Sequence, residues 1–199
     1  MKIITFDLEI RRAILNGQAA EEFEEQNPGI EYVRTFQDFD KMGIACVCAF
    51  ASYQQMPGIW DSHNLHDERD GLQAWFAEAD LIVSYNGIGF DARVLAANGV
   101  SVPSVKHVDL LEEVRRACGK RFSLDAMAQK NLGTGKSGNG ALAPIKWQQG
   151  KHAEVITYCL NDALITHNLF TLAQRQGYLL SPKGERISLK LGKGQGGLF

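Results

Sequence analysis

Short apolar runs alternate along this chain with stretches in which apolar residues recur every three or four positions. Residues 3–9 (Ile3, Ile4, Thr5, Phe6, Asp7, Leu8, Glu9) are β-branched and aromatic around two acids, and they predict a strand. Residues 43–52 predict a second strand and residues 58–65, which include Trp60, a third. The short spacing between those two predicts an antiparallel hairpin. Residues 81–85 form a brief apolar run of the buried, parallel type. Residues 105–111 give a further strand, or the end of one that runs into the helix through Cys118. Helical spacing marks residues 67–79, with Leu72, Trp75, Phe76 and Ala79 on one side, and residues 90–98, which stop at Asn98 and Gly99. Ser123 caps a helix over residues 124–131, and the longest helix covers residues 152–175 and ends at Gln176 and Gly177. A helical piece at residues 19–25 precedes a turn at residues 27–29, and a second hairpin centres on residues 182–184. Strands grouped in a hairpin and then alternating with helices predict an α/β fold, a mixed sheet with helices packed on it.

No apolar run reaches the roughly 20 residues that span a bilayer, and acids interrupt the first strand where a secretion signal would need an apolar core. A cytoplasmic protein is therefore expected. With 199 residues the chain is long enough for one domain with a full core, expected over residues 1–178. That domain would carry an acidic insert at residues 11–42, and residues 179–199 would form a basic, glycine-rich tail. The four cysteines have neither a disulfide framework's spacing nor a zinc site's: Cys46 and Cys48 share one face of a predicted strand, Cys118 and Cys159 lie apart in helices, and all are expected as buried free thiols.

The net charge of −2 hides an uneven distribution. Residues 18–42 hold Glu21, Glu22, Glu24, Glu25, Glu31, Asp38 and Asp40 against Arg34 and Lys41. Residues 115–151 hold Arg115, Arg116, Lys120, Arg121, Lys130, Lys136, Lys146 and Lys151 against Asp125. The second segment reads either as a phosphate-binding surface or as a solvated helix face with loops. Within it, residues 132–140 are glycine-rich and predict a mobile loop. Gly135-Lys136-Ser137 has the ending of a P-loop, but Lys130 stands where the first glycine is required, and a helix rather than a strand precedes it. ATP binding is not expected.

Asp7 and Glu9, two apart on a strand, point to one face. Such a pair reads as ligands for a hard cation, Mg²⁺ or Mn²⁺, or as acids that reach water at a strand end. Asp91 follows the strand–turn segment Ser84-Tyr85-Asn86-Gly87, in the kind of crevice where open α/β sheets bind ligands. It reads as a helix cap or as a third carboxylate. Tyr158 and Asp162, four apart in the longest helix, share a face. An aspartate inside a helix has no capping task there.

Taken together, Asp7-x-Glu9, Tyr85-Asn86-x-x-x-Phe90-Asp91 and Tyr158-x-x-x-Asp162 resemble the three motifs of the DEDD superfamily of 3′→5′ exonucleases, DnaQ-like proteins with an RNase H-like fold. The likeness is greatest to the proofreading domain of family B DNA polymerases and to related stand-alone exonucleases. It covers residues 1 to about 175. Thr157 stands where one subclass has histidine, and Tyr158 where the other has tyrosine, so the chain resembles the tyrosine subclass. The long acidic insert and the lack of a polymerase domain depart from the pattern.

The resemblance implies an RNase H-like mixed five-stranded sheet with helices on both faces. It implies a site in which Asp7, Glu9, Asp91 and Asp162 hold two divalent cations, Mg²⁺ or Mn²⁺, with Asp7 bridging them. Tyr158 would orient the attacking water; a phenol, with an ordinary pKa of about 10, keeps its proton at neutral pH. Asn86 and Phe90 would line the terminal-nucleotide pocket, and Leu8 would offer its backbone or side chain there, or pack in the core. The substrate would be the 3′ end of single-stranded or frayed DNA, or RNA, released as nucleoside 5′-monophosphates. Lys136 and Lys146 are expected phosphate contacts from the basic segment. Two other readings stand beside this one: a metal-dependent endonuclease or junction resolvase, and a non-catalytic nucleic-acid-binding module.

Overall fold

The first strand extends over Ile3–Ile10 (β1) and its alternation divides the molecule into two sides. The computed structural model describes residues 1–15, 17–135 and 140–191. After β1 come β2 (Ala13–Ile14), α1 (Gly17–Gln26), β3 (Tyr32–Val33) and α2 (Phe39–Met42). The expected hairpin follows as β4 (Ile44–Ala51) and β5 (Gly58–Asp61), then α3 (Leu65–Glu78), β6 (Leu81–Ser84) and α4 (Asp91–Ala97). The second half contains β7 (His107–Asp109), α5 (Leu110–Cys118), α6 (Leu124–Leu132), α7 (Ala143–Gln148) and α8 (His152–Gln176). It closes on the hairpin of β8 (Tyr178–Leu180) and β9 (Arg186–Ser188).

The main sheet has the order β5-β4-β1-β6-β7. β4 pairs antiparallel with β1 and β5, whereas β6 is parallel to β1 and β7. Ile4, Phe6, Leu8 and Ile10 bury on one face, in a cluster with Leu72 and Phe76 of α3 and Val94 and Leu95 of α4. The odd residues turn to the other face, where Thr5 meets His167 of α8 through a 3.3 Å hydrogen bond. Helices therefore cover both faces of a mixed five-stranded sheet, as expected.

Two strands end earlier than their apolar content predicts. The β5 run stops at Asp61, whose carboxylate accepts from the amides of His63 and Asn64 while its own amide donates to the Asn64 side chain at 2.7 Å. This turn hands the chain directly to α3. The run at residues 105–111 is a strand only to Asp109, whose side chain caps α5 by accepting from Leu111 and Glu112. Short α7, with Pro144 in its first turn, was not predicted.

The segment expected as a tail begins with the β8–β9 hairpin. Leu179, Ile187 and Leu189 are buried there with Leu110, Met127 and Leu169. Asn131 fixes the hairpin by donating to and accepting from the backbone of Leu180. Residues 192–199, with every glycine of that tail except Gly184, lie outside the described residues.

Candidate active site

The register of β1 creates the site. Its parallel partner β6 reaches only from Ile3 to Thr5, whereas antiparallel β4 accompanies it from Ile4 to Ile10. Asp7 and Glu9 thus lie past the end of β6 pairing, in a notch with β4 on one side and the chain leaving β6 on the other. That chain, residues 85–90, turns across the notch into α4. Phe90 takes the N-cap position and Asp91 is the first helical residue. From the opposite side α8 presents Tyr158 and Asp162, one turn apart.

These three segments line one cleft of about 500 Å³, with Asp7, Glu9, Asp91, Tyr158 and Asp162 all on its wall. Leu8, Asn86 and Phe90 line it too. Glu9, Asp91 and Asp162 are only 8%, 7% and 2% exposed. Gly140, at the start of a short helical turn (Gly140–Leu142), approaches closely: a side-chain carbon there would stand 3.2 Å from the Tyr158 hydroxyl.

The turn into α4 is held from below by Asp109, which the sequence reading did not single out. Its buried carboxylate accepts from the amides of Asn86 at 2.9 Å and Ile88 at 3.0 Å while capping α5. Asn86 adopts a left-handed conformation, φ 69°, rare outside glycine. Its side-chain oxygen accepts from Arg121 at 2.7 Å. Gly87 is compelled by space, since an added carbon would fall 2.4 Å from Ser84 Oγ and 3.2 Å from Asp91 Oδ2. Ser84 Oγ lies 2.7 Å from His107 Nε2, and burial lowers the His107 pKa to about 4.

The acidic insert forms a wall of the cleft through Ile14, Leu15, Phe23 and Phe36. Phe36 is 59% exposed and meets Phe90 edge-on at 6.0 Å, with Phe39 on Phe90 at 6.4 Å. Sequence reasoning missed Phe36. Its only signal was an aromatic pair, Phe36 and Phe39, among the acids.

The basic segment is far less basic in space than along the chain. Arg115 and Arg121 pair with Glu112, Arg116 with Glu113 and Lys146 with Glu154. These acids lie just outside the 115–151 window. Lys146, expected at a phosphate, is held by Glu154 at 3.0 Å and is not among the described lining residues. Lys136 falls in residues 136–139, the part of the expected loop that lies outside the described residues.

Four carboxylates converging from three elements make an all-oxygen donor set, which suits a hard divalent cation such as Mg²⁺ or Mn²⁺. A second donor set was unforeseen. Cys46, Cys48 and Cys159 bring their sulfurs within 4.8 Å of one another, fully buried. Burial raises the Cys159 thiol pKa, and hydrogen bonding by Cys159 and then Cys46 lowers that of Cys48. All four cysteines are free, as expected, but Cys159, expected apart, joins the Cys46–Cys48 pair because β4 and α8 meet over them. Cys118 remains apart, half-buried on α5.

Residues 37–174 match the family model of the RNase H superfamily. The chain belongs to the RNase H superfamily. Its members are usually nucleases and generally use divalent metal ions, and the fold implies a nucleic-acid ligand. The matched span begins after β1, so Asp7 and Glu9 lie outside it. Among solved structures, this RNase H superfamily chain is similar to the family B DNA polymerase from the hyperthermophilic archaeon Pyrobaculum calidifontis. The match has a TM-score of 0.56 and 18% identity, and it covers 88% of this chain and 24% of that one. The chain thus spans about a quarter of the polymerase's length. No curated protein matches it significantly. No helix among the described residues is long and apolar enough to cross a membrane.

Proposed function

We propose that this chain is a 3′→5′ exonuclease of the tyrosine subclass, cutting phosphodiester bonds one nucleotide at a time from the 3′ end of single-stranded or frayed DNA. One observation carries the reading: Asp7, Glu9, Asp91 and Asp162 line one cleft with Tyr158, a helical turn before Asp162. Membership of the RNase H superfamily supports nuclease chemistry in general, and the motif spacing supports the exonuclease in particular.

Asp7, Glu9, Asp91 and Asp162 would hold two divalent cations. When bound, such ions supply an activated water and stabilise the attacking and leaving oxygens. The chain's own contribution is placement. Asp7 and Glu9 are fixed by β1, Asp91 by the turn that Asp109 anchors, and Asp162 by α8. Tyr158 lines the cleft, where its hydroxyl would accept or donate a hydrogen bond to orient the attacking water. Phe90 and Phe36 offer ring surface to the terminal bases. The cleft volume, about 500 Å³, matches ligand sites that enclose one small molecule or a strand terminus.

The test is degradation of DNA and RNA oligomers labelled at the 3′ or the 5′ end, with Mn²⁺, with Mg²⁺ and with chelator. Stepwise shortening of 5′-labelled strands, with nucleoside 5′-monophosphate as product, is expected only with metal. Cleavage of a closed single-stranded circle would instead identify an endonuclease.

A further inference from the structure

The face of the sheet under α8 carries two parallel rows of side chains. One is Asp7 and Glu9 on β1. The other lies beside it on β4, where Cys48 is directly opposite Asp7 and Cys46 opposite Glu9. Directly opposed residues of an antiparallel pair project to the same face, so acids and thiols are cross-strand neighbours. α8 completes both rows, giving Tyr158 and Asp162 to the first and Cys159 to the second.

We propose that Cys46, Cys48 and Cys159 form a structural binding site for one thiophilic divalent cation of the zinc and cadmium class. Three sulfurs around a zinc-sized ion, at about 2.3 Å each, stand roughly 4 Å from one another. All three pairs here already lie within 4.8 Å, from two elements distant in sequence. On the side away from Asp7 and Glu9 the sulfurs are packed in apolar side chains, among them Ala45, Ala143, Trp147 and Val155. Two backbone oxygens are close by: the Asp7 carbonyl accepts from Cys159 Sγ at 3.4 Å, and the Ile156 carbonyl from Cys48 Sγ at 3.8 Å.

Sulfur and oxygen donors separate the two sites by chemistry. The carboxylate cleft suits hard ions and the thiol cluster soft ones, so adjacent sites would not compete for one metal. A disulfide uses the cluster less well. Cys46 and Cys48 alternate on one strand with Cα atoms about 7 Å apart, too far for an unstrained bridge, and a bond from Cys159 to either leaves the third thiol over. Binding would displace thiol protons and tie α8 to β4 one strand away from Asp7. The ion would thus act as a staple and take no part in bond cleavage, and the site stands whatever reaction the cleft performs.

The experiment is a Cd²⁺ titration of the full chain, reduced and stripped with chelator, followed by the thiolate-to-metal charge-transfer band in the ultraviolet. The band is expected to saturate at one equivalent and to persist in Cys118→Ala and in Asp162→Asn. It should be lost in Cys159→Ala and Cys48→Ala, and the ion should raise the melting temperature of the native chain, of Cys118→Ala and of Asp162→Asn but not that of the Cys159→Ala and Cys48→Ala variants. X-ray absorption of the cadmium-loaded native chain gives a count independent of variant folding, with three sulfur neighbours expected. No band at one equivalent, fewer than three sulfurs, or a band unchanged in Cys159→Ala overturns the proposal. If the ion raises the melting temperature without producing the band, and that rise is lost in Asp162→Asn, the metal lies in the cleft, and the thiol site is again refuted.

Discussion

The Asp109 carboxylate accepts the amide of Asn86 at 2.9 Å and thereby stabilises a left-handed asparagine at the lip of the cleft. The same carboxylate takes the Ile88 amide and caps α5, so one buried group supports the turn that delivers Phe90 and Asp91. Replacing Asp109 with Ala leaves those amides without their acceptor. A loss of about 1–3 kcal/mol in stability is expected from buried donors stripped of a partner. Urea unfolding measures that loss, and a fall in nuclease rate larger than the unfolded fraction accounts for would mark the turn as rate-determining geometry. Unchanged stability would show that water replaces the carboxylate.

Removal of either end of the carboxylate array is the strongest test of the proposed chemistry. Asp7→Ala and Asp162→Ala should each bring metal-dependent nucleotide release to background while circular dichroism stays native. Full activity in both purified variants would sink the exonuclease reading.

Tyr158 is expected to matter for rate and little for metal affinity. Tyr158→Phe should slow release on the order of a hundredfold, the usual scale for a group that positions a proton or a water. Mn²⁺ affinity, measured by calorimetry, should stay within a factor of a few. Gly140→Ala probes the same hydroxyl from outside, because the added carbon stands 3.2 Å from it. It should reduce the rate in the native background and have no further effect on Tyr158→Phe. An additive loss in the double variant would mean that Gly140 acts elsewhere.

A pH effect on stability follows from His107. Its pKa falls from 6.5 to about 4 on folding, chiefly by burial. Between those values the unfolded chain binds more protons than the native one, so stability rises with pH. The contribution is complete above about pH 6.5 and is lost as pH falls towards 4. It amounts to something on the order of 3 kcal/mol at most. Burial also lowers His167, which adds a slope of the same sign. Unfolding free energies at pH 7 and pH 5 should therefore differ, and His107→Gln should narrow the gap. An equal gap in the variant would assign the effect to other groups.

Local pattern carried most of the fold because the core is built from faces that repeat in sequence. The alternation of Ile4, Phe6, Leu8 and Ile10, and the long apolar side of α8, were readable without any partner. The acids and Tyr158 were readable for the same reason, since each occupies a fixed place on a strand or helix. What escaped depends on which segments meet. Asp109 looks like an ordinary helix cap until the turn at residues 86–88 is laid against it. Cys159 lies 111 positions beyond Cys48, and only the crossing of α8 over β4 makes them neighbours. The charge count misled because its window stopped beside Glu112, Glu113 and Glu154, the acids that face those bases.

Helix α8 links the cleft to the far end of the molecule. Its first half carries Tyr158 and Asp162, and its second half packs through Leu169 and Ala173 under the β8–β9 hairpin. A single unbroken helix of 25 residues is about 37 Å long and joins the two regions without a break. A shift imposed at the hairpin would slide the tyrosine and the aspartate together past the fixed acids of β1. The two cleft residues of α8 would thus keep their spacing to each other and change only their distance from Asp7 and Glu9.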